Sequence, residues 1–87
     1  MSVEQYQQQL LESYNGSQDP KIQQSAFTAN QYTEMFKTGQ VTKDEYLQMM
    51  NDIVLANNIN RSADNMQVLE HMNTAINGLI NIASLVA

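Results

Sequence analysis

The last third of the chain constrains the fold most. Leu69, Met72, Ile76, Leu79, Ala83 and Val86 recur at alternating steps of three and four, a heptad-type stripe. A second apolar line, Ala75, Gly78, Ile82 and Leu85, runs beside it. Only Glu70, Asn73, Asn77, Asn81 and Ser84 keep one line polar. A helix that is apolar over most of its circumference demands cover on more than one side. In a chain of 87 residues few elements can supply it. The expectation is an all-α fold of three to four amphipathic helices, a helical hairpin plus a long C-terminal helix, packed as a homo-oligomeric bundle. The expected interface is Leu69, Met72, Ile76, Leu79, Ile82, Ala83, Leu85 and Val86.

Start and stop signals place four helices within a single domain, residues 1–87. They cover about residues 2–14, 20–38, 43–58 and 63–86. Ser2 and Gln5 have the spacing of a capping box, and Val3, Tyr6, Leu10 and Tyr14 form the first apolar side. Asn15-Gly16-Ser17 breaks the chain. Asp19 suits the N-cap of the second helix and Pro20 its first position, where a missing N–H costs nothing. Ile22, Ala26, Ala29, Tyr32 and Phe36 make its apolar face, with Met35 beside it. Gly39 suits the left-handed position just past the helix end. Thr42 and Glu45 form a second capping box, and Val41 and Tyr46 occupy hydrophobic-staple positions around it. Tyr46, Leu47, Met49, Met50, Ile53 and Val54 then give the third helix a broad apolar side.

Residues 57–62 leave two readings open. Asn57-Asn58-Ile59-Asn60-Arg61-Ser62 is rich in weak helix formers, and Ser62 can cap a fourth helix. It contains neither Gly nor Pro, so one continuous helix from Lys43 satisfies the backbone equally well. A break permits a compact bundle; continuity gives a rod of about 65 Å that needs another chain.

Composition excludes several function classes. Net charge is -5, and the four bases, Lys21, Lys37, Lys43 and Arg61, are scattered. Binding nucleic acid through counterion release needs clustered cations, so no nucleic-acid partner is expected. Cysteine is absent, which removes disulfides and thiolate metal sites. No apolar run reaches the length of a membrane span, and residues 1–15 lack the apolar core of a signal peptide. No membrane partner is expected, and the location expected is cytoplasmic. Eleven Gln and ten Asn make about a quarter of the chain. They reflect the base composition of the gene or, as the alternative, supply an amide surface that can hydrogen-bond to a partner without long-range steering.

No catalytic or cofactor constellation emerges. His71 is the one side chain suited to acid–base work near neutral pH. Residues 67 and 68 before it are Gln and Val, so no Glu-x-x-His metal pair exists. Asp44 and Glu45 serve as first-turn charges that complement the helix dipole. Adding Asp52 makes too poor a ligand set for a metal. The reading is no enzyme, no cofactor and no metal.

The segment from Tyr32 to Met50, YTEMFKTGQVTKDEYLQMM, resembles the SHOCT-type helical hairpin: an apolar helix, Gly-x-Val-Thr, acids, an aromatic and a second apolar helix. That family places the hairpin at the end of longer proteins; here it lies mid-chain. The resemblance implies oligomerisation or docking. The glutamine-rich, cysteine-free style of the whole is similar to small bacteriophage proteins, which would put the chain in the host cytoplasm or the virion. The function expected is therefore a self-associating interaction module of assembly, scaffold or adaptor type, such as a phage structural or accessory protein. The alternatives are an inhibitor that binds a host protein through its C-terminal helix and an oligomer that sequesters a small ligand.

Overall fold

Four helices run alternately up and down in the computed structural model, which describes residues 2–85. They are α1 Val3–Asn15, α2 Pro20–Lys37, α3 Lys43–Ile59 and α4 Met66–Ser84. Each packs against its neighbour in sequence, and α4 returns to close the ring against α1. Helices α2 and α4 also touch across the diagonal. The radius of gyration is 12.1 Å, against about 12 Å expected for a compact chain of this length. The chain is a four-helix bundle measuring 39 × 22 × 19 Å.

The predicted caps form as specified. Ser2 Oγ accepts from the Gln5 amide, and the Gln5 side chain accepts from the Ser2 amide at 2.8 Å. Thr42 and Glu45 exchange the same pair of bonds at 2.9 and 3.1 Å. Asp19 Oδ1 accepts from the Lys21 amide, with Pro20 in the first turn. Past α2, Gly39 takes φ 78°. The Gly39 amide bonds Phe36 O and the Gln40 amide bonds Met35 O. These two bonds complete a Schellman termination, in which a left-handed residue turns the chain back toward carbonyls that the helix leaves unpaired.

The chain breaks between α3 and α4, by a different device from Ser62. Asn65 precedes α4 without making a side-chain cap. Its side chain turns back instead. Oδ1 accepts from the Ser62 amide at 2.7 Å, and Nδ2 donates to Asn60 O at 3.1 Å. These bonds satisfy the loop backbone, so α4 begins at Met66 and not at residue 63. Asparagine is suited to such a corner because one short side chain both donates and accepts.

The break corrects the reading of the C-terminal helix. Leu69, Met72, Ala75, Ile76, Leu79 and Ala83 are buried by the chain's own first three helices. Ring closure covers two of its flanks at once, with α1 on one side and α3 on the other. The apolar stripe therefore needs no second chain to hide it. Of the remaining expected interface residues, Ile82 is half-buried and Leu85 is 86% exposed. Val86 lies outside the described residues.

Three polar side chains enter the core with partners. Thr33 Oγ1 donates to Ala29 O at 2.9 Å, so its single hydrogen is used. The Tyr46 hydroxyl, 2.7 Å away, must then donate to Thr33. Burial pushes the Tyr46 phenol above its ordinary pKa. Its ring stacks on Phe36 with centroids 4.6 Å apart. Asn57, also buried, donates to Asn73 Oδ1 at 2.9 Å and ties α3 to α4. Ser13 returns its hydroxyl to Gln9 O, the usual way a serine is satisfied inside a helix.

Candidate functional site: the α1–α2 seam

The seam between α1 and α2 changes character along its length. Its first half, beside the start of α1 and the end of α2, is closed by polar groups. Gln7 Nε2 donates to Asn30 Oδ1 at 2.8 Å and to Glu34 Oε1 at 3.2 Å. Lys37 Nζ donates to Gln7 Oε1 and lies 3.7 Å from Glu4 and 3.6 Å from Glu34. Each exposed contact contributes at most about 1 kcal/mol. Together they bridge the two helices across this half of the seam.

The second half opens. Leu10, Leu11, Tyr14, Ala26, Phe27 and Asn30 line a hollow of about 260 Å³. Tyr14 and Phe27 also border a second hollow, with Pro20, Gln23 and Gln24. Leu11 is 47% exposed, Tyr14 39% and Phe27 57%. Three large apolar side chains clustered in water on one short seam make this half the candidate contact surface, whereas single exposed ones are ordinary. None of the described residues lining either hollow is charged.

The helical phase explains why these side chains face outward. On α1, Leu10 is wholly buried, so Leu11, one residue on, projects about 100° away round the helix. On α2, Ala26 and Ala29 hold the core line and Phe27 falls beside it. Small alanines inside and a phenylalanine outside invert the usual core preference. The sequence signal is a large apolar residue at a position where the helix period calls for a polar one. It is readable, but it is faint beside the stripe on α4, and the expected interface omitted Leu11 and Phe27.

Other surfaces offer less. A hollow of about 220 Å³ on the α2–α3 seam is edged by Gln24, Ser25, Thr28, Tyr32, Met49, Asp52, Ile53 and Ala56, with Asp52 its single charged group. His71 faces Glu12 across the α1–α4 seam at 3.8 Å, and both are half-exposed. Among the described residues no three His, Asp or Glu side chains gather where they could hold a metal ion. Nor is any described helix long and apolar enough to cross a membrane. Leu55 and Ile59 are exposed near the end of α3. Comparison with protein-family models, curated proteins and solved structures gives no match, so the assignment of this seam rests on its geometry.

Proposed function

We propose that the chain is a small non-catalytic interaction module of assembly or adaptor type, acting in the cytoplasm and docking through the open half of the α1–α2 seam. The observation that carries this reading is the uncharged cluster of Leu11, Tyr14 and Phe27 over a hollow. Covering such side chains gains about 25 cal/mol for each Å² of apolar surface removed from water. Aromatic anchors beside a pocket are the usual centre of a binding surface. A packed core sealed inside one chain suits a module that presents a preformed face and needs little ordering on binding. The hairpin-like segment 32–50, with its implied docking role, supports the same reading.

The test is retention. Immobilised wild-type protein should hold back a stoichiometric partner from an extract of source cells, either its own copies or another protein. Leu11→Asp with Phe27→Asp should release it while the melting temperature stays within a few degrees. A wild-type chain that retains neither overturns the reading.

A further inference from the structure

We infer that Asn15 is a site of spontaneous covalent modification in the folded chain, its side-chain amide converted by water to aspartate and isoaspartate, while the chain's other Asn-Gly pair, Asn77-Gly78, is held unreactive by α4. The inference stands apart from the docking reading.

The chemistry is intramolecular. In an Asn-Gly pair the glycine backbone nitrogen attacks the asparagine Cγ. The N–Cγ bond forms, the glycine N–H proton passes to solvent, and the Cγ–Nδ2 bond breaks with loss of ammonia. Water then opens the cyclic imide at either carbonyl. One opening gives aspartate; the other reroutes the chain through the side chain and gives isoaspartate. Glycine favours the step because no side chain crowds the attacking nitrogen and the backbone turns freely. The sequence holds two such pairs, at 15–16 and 77–78.

Exposure does not separate them, since both asparagines face water. The backbone does. Attack requires the glycine nitrogen to give up its hydrogen bond and the asparagine to leave the helical conformation. The Gly78 amide lies inside α4, with more than a turn of helix on either side. Its neighbours Ile76 and Leu79 are buried in the core, and the Tyr6 ring packs on Gly78 itself. Opening the helix there approaches the cost of unfolding the bundle.

Asn15 is the last residue of α1, and the bond from the Gly16 amide to Glu12 O, at 2.8 Å, closes the helix. Terminal turns fray at little cost. The loop beyond is anchored at Ser17, whose hydroxyl accepts from the Asp19 amide and whose carbonyl accepts from Gln23 Nε2. Those bonds hold Ser17 in place and leave Gly16 tied only to the end of α1. One frayed bond therefore frees the nitrogen while the start of α2 stays where it is. The product places a carboxylate at the negative end of the α1 dipole, where the last turn has no base to offset it.

The test is peptide mass mapping of the full chain after incubation in warm, mildly alkaline buffer, with electron-transfer fragmentation to separate isoaspartate from aspartate. In the folded protein Asn15 should convert about tenfold or more faster than Asn77. In strong denaturant, where neither pair is helical, the two rates should converge. Gly16→Ala should slow conversion at position 15 in both conditions. Four results would each overturn the inference. They are equal conversion of Asn15 and Asn77 in the fold, an Asn15 that reacts only when the chain is denatured, a rate at position 15 indifferent to Gly16→Ala, and a preference for Asn15 that denaturant leaves unchanged. The last would assign the preference to neighbouring sequence and not to the fold.

Discussion

At the scale of single residues, the tightest constraint is Gly78. A methyl group on its Cα would overlap the hydroxyl-bearing end of the Tyr6 ring, which packs against α4 at that point. Glycine inside a helix normally costs about 1 kcal/mol relative to alanine. Here the cost is offset by the close approach of a half-buried tyrosine from α1. Gly78→Ala should therefore destabilise the bundle by about 1–3 kcal/mol, because the ring must leave its seat. In a Tyr6→Ala background the same change should stabilise, by up to about 1 kcal/mol, since only helix propensity is left. Denaturant melts of the four variants give the answer, and the same sign in both backgrounds would remove Tyr6 as the cause. The sequence showed Gly78 only as a gap in an apolar line. What fills the gap comes from the far end of the chain, and helical period carries no such information.

At the scale of elements, helix ends were the most legible feature, because caps are local chemistry. Ser2 with Gln5, Asp19 with Pro20, Gly39, and Thr42 with Glu45 all take their expected parts. The start of α4 was less legible: Ser62 has cap chemistry, yet Asn65 captures the loop backbone first. Competition between two suitable side chains is decided by the path of the loop, which the sequence does not state. The Thr42–Glu45 box also makes stability depend on pH. Bonds from Thr42, backbone first and hydroxyl second, hold the Glu45 carboxyl below its usual pKa. A carboxyl depressed in the folded state lends stability that is complete above its unfolded pKa and is lost as pH falls through the folded one. Glu45→Ala, which removes the carboxylate and leaves Thr42 in place, should lower stability near neutral pH. The gap between variant and wild type should narrow as the solution is made acidic. A gap that stays constant in chemical melts from neutral pH to below the Glu45 titration would show that the carboxylate takes no part in the cap.

At the scale of the whole molecule, the lesson is about closure. Periodicity marked Leu69, Met72, Ile76, Leu79 and Ala83 as apolar positions that need cover and led to the expectation of an interface between chains, whereas they lie at the centre of the core of one chain. The expectation of surplus came from counting faces along a line, whereas α4 sits in a ring with α1 on one flank and α3 on the other. Ring closure joins the first and last helices of the sequence, a non-local pairing that no window of residues contains. The same blindness hid the open seam, since Leu11 and Phe27 matter only once α1 and α2 are side by side. Leu79→Ala should cost about 2–5 kcal/mol as a filled core position, and Asn77→Ala, on the exposed line, less than about 0.5 kcal/mol. Equal losses in thermal melts would mean that the phase of α4 is misassigned.

The closed ring has a practical corollary. Val3, near the beginning of α1, and Ile82 and Ala83, near the finish of α4, border one small cavity, so the two segments are neighbours in space. A short glycine-serine bridge between them would permit new ends to be cut in the corner held by Asn65. The polypeptide would then be threaded in a different order through the same four rods, with every helix left whole.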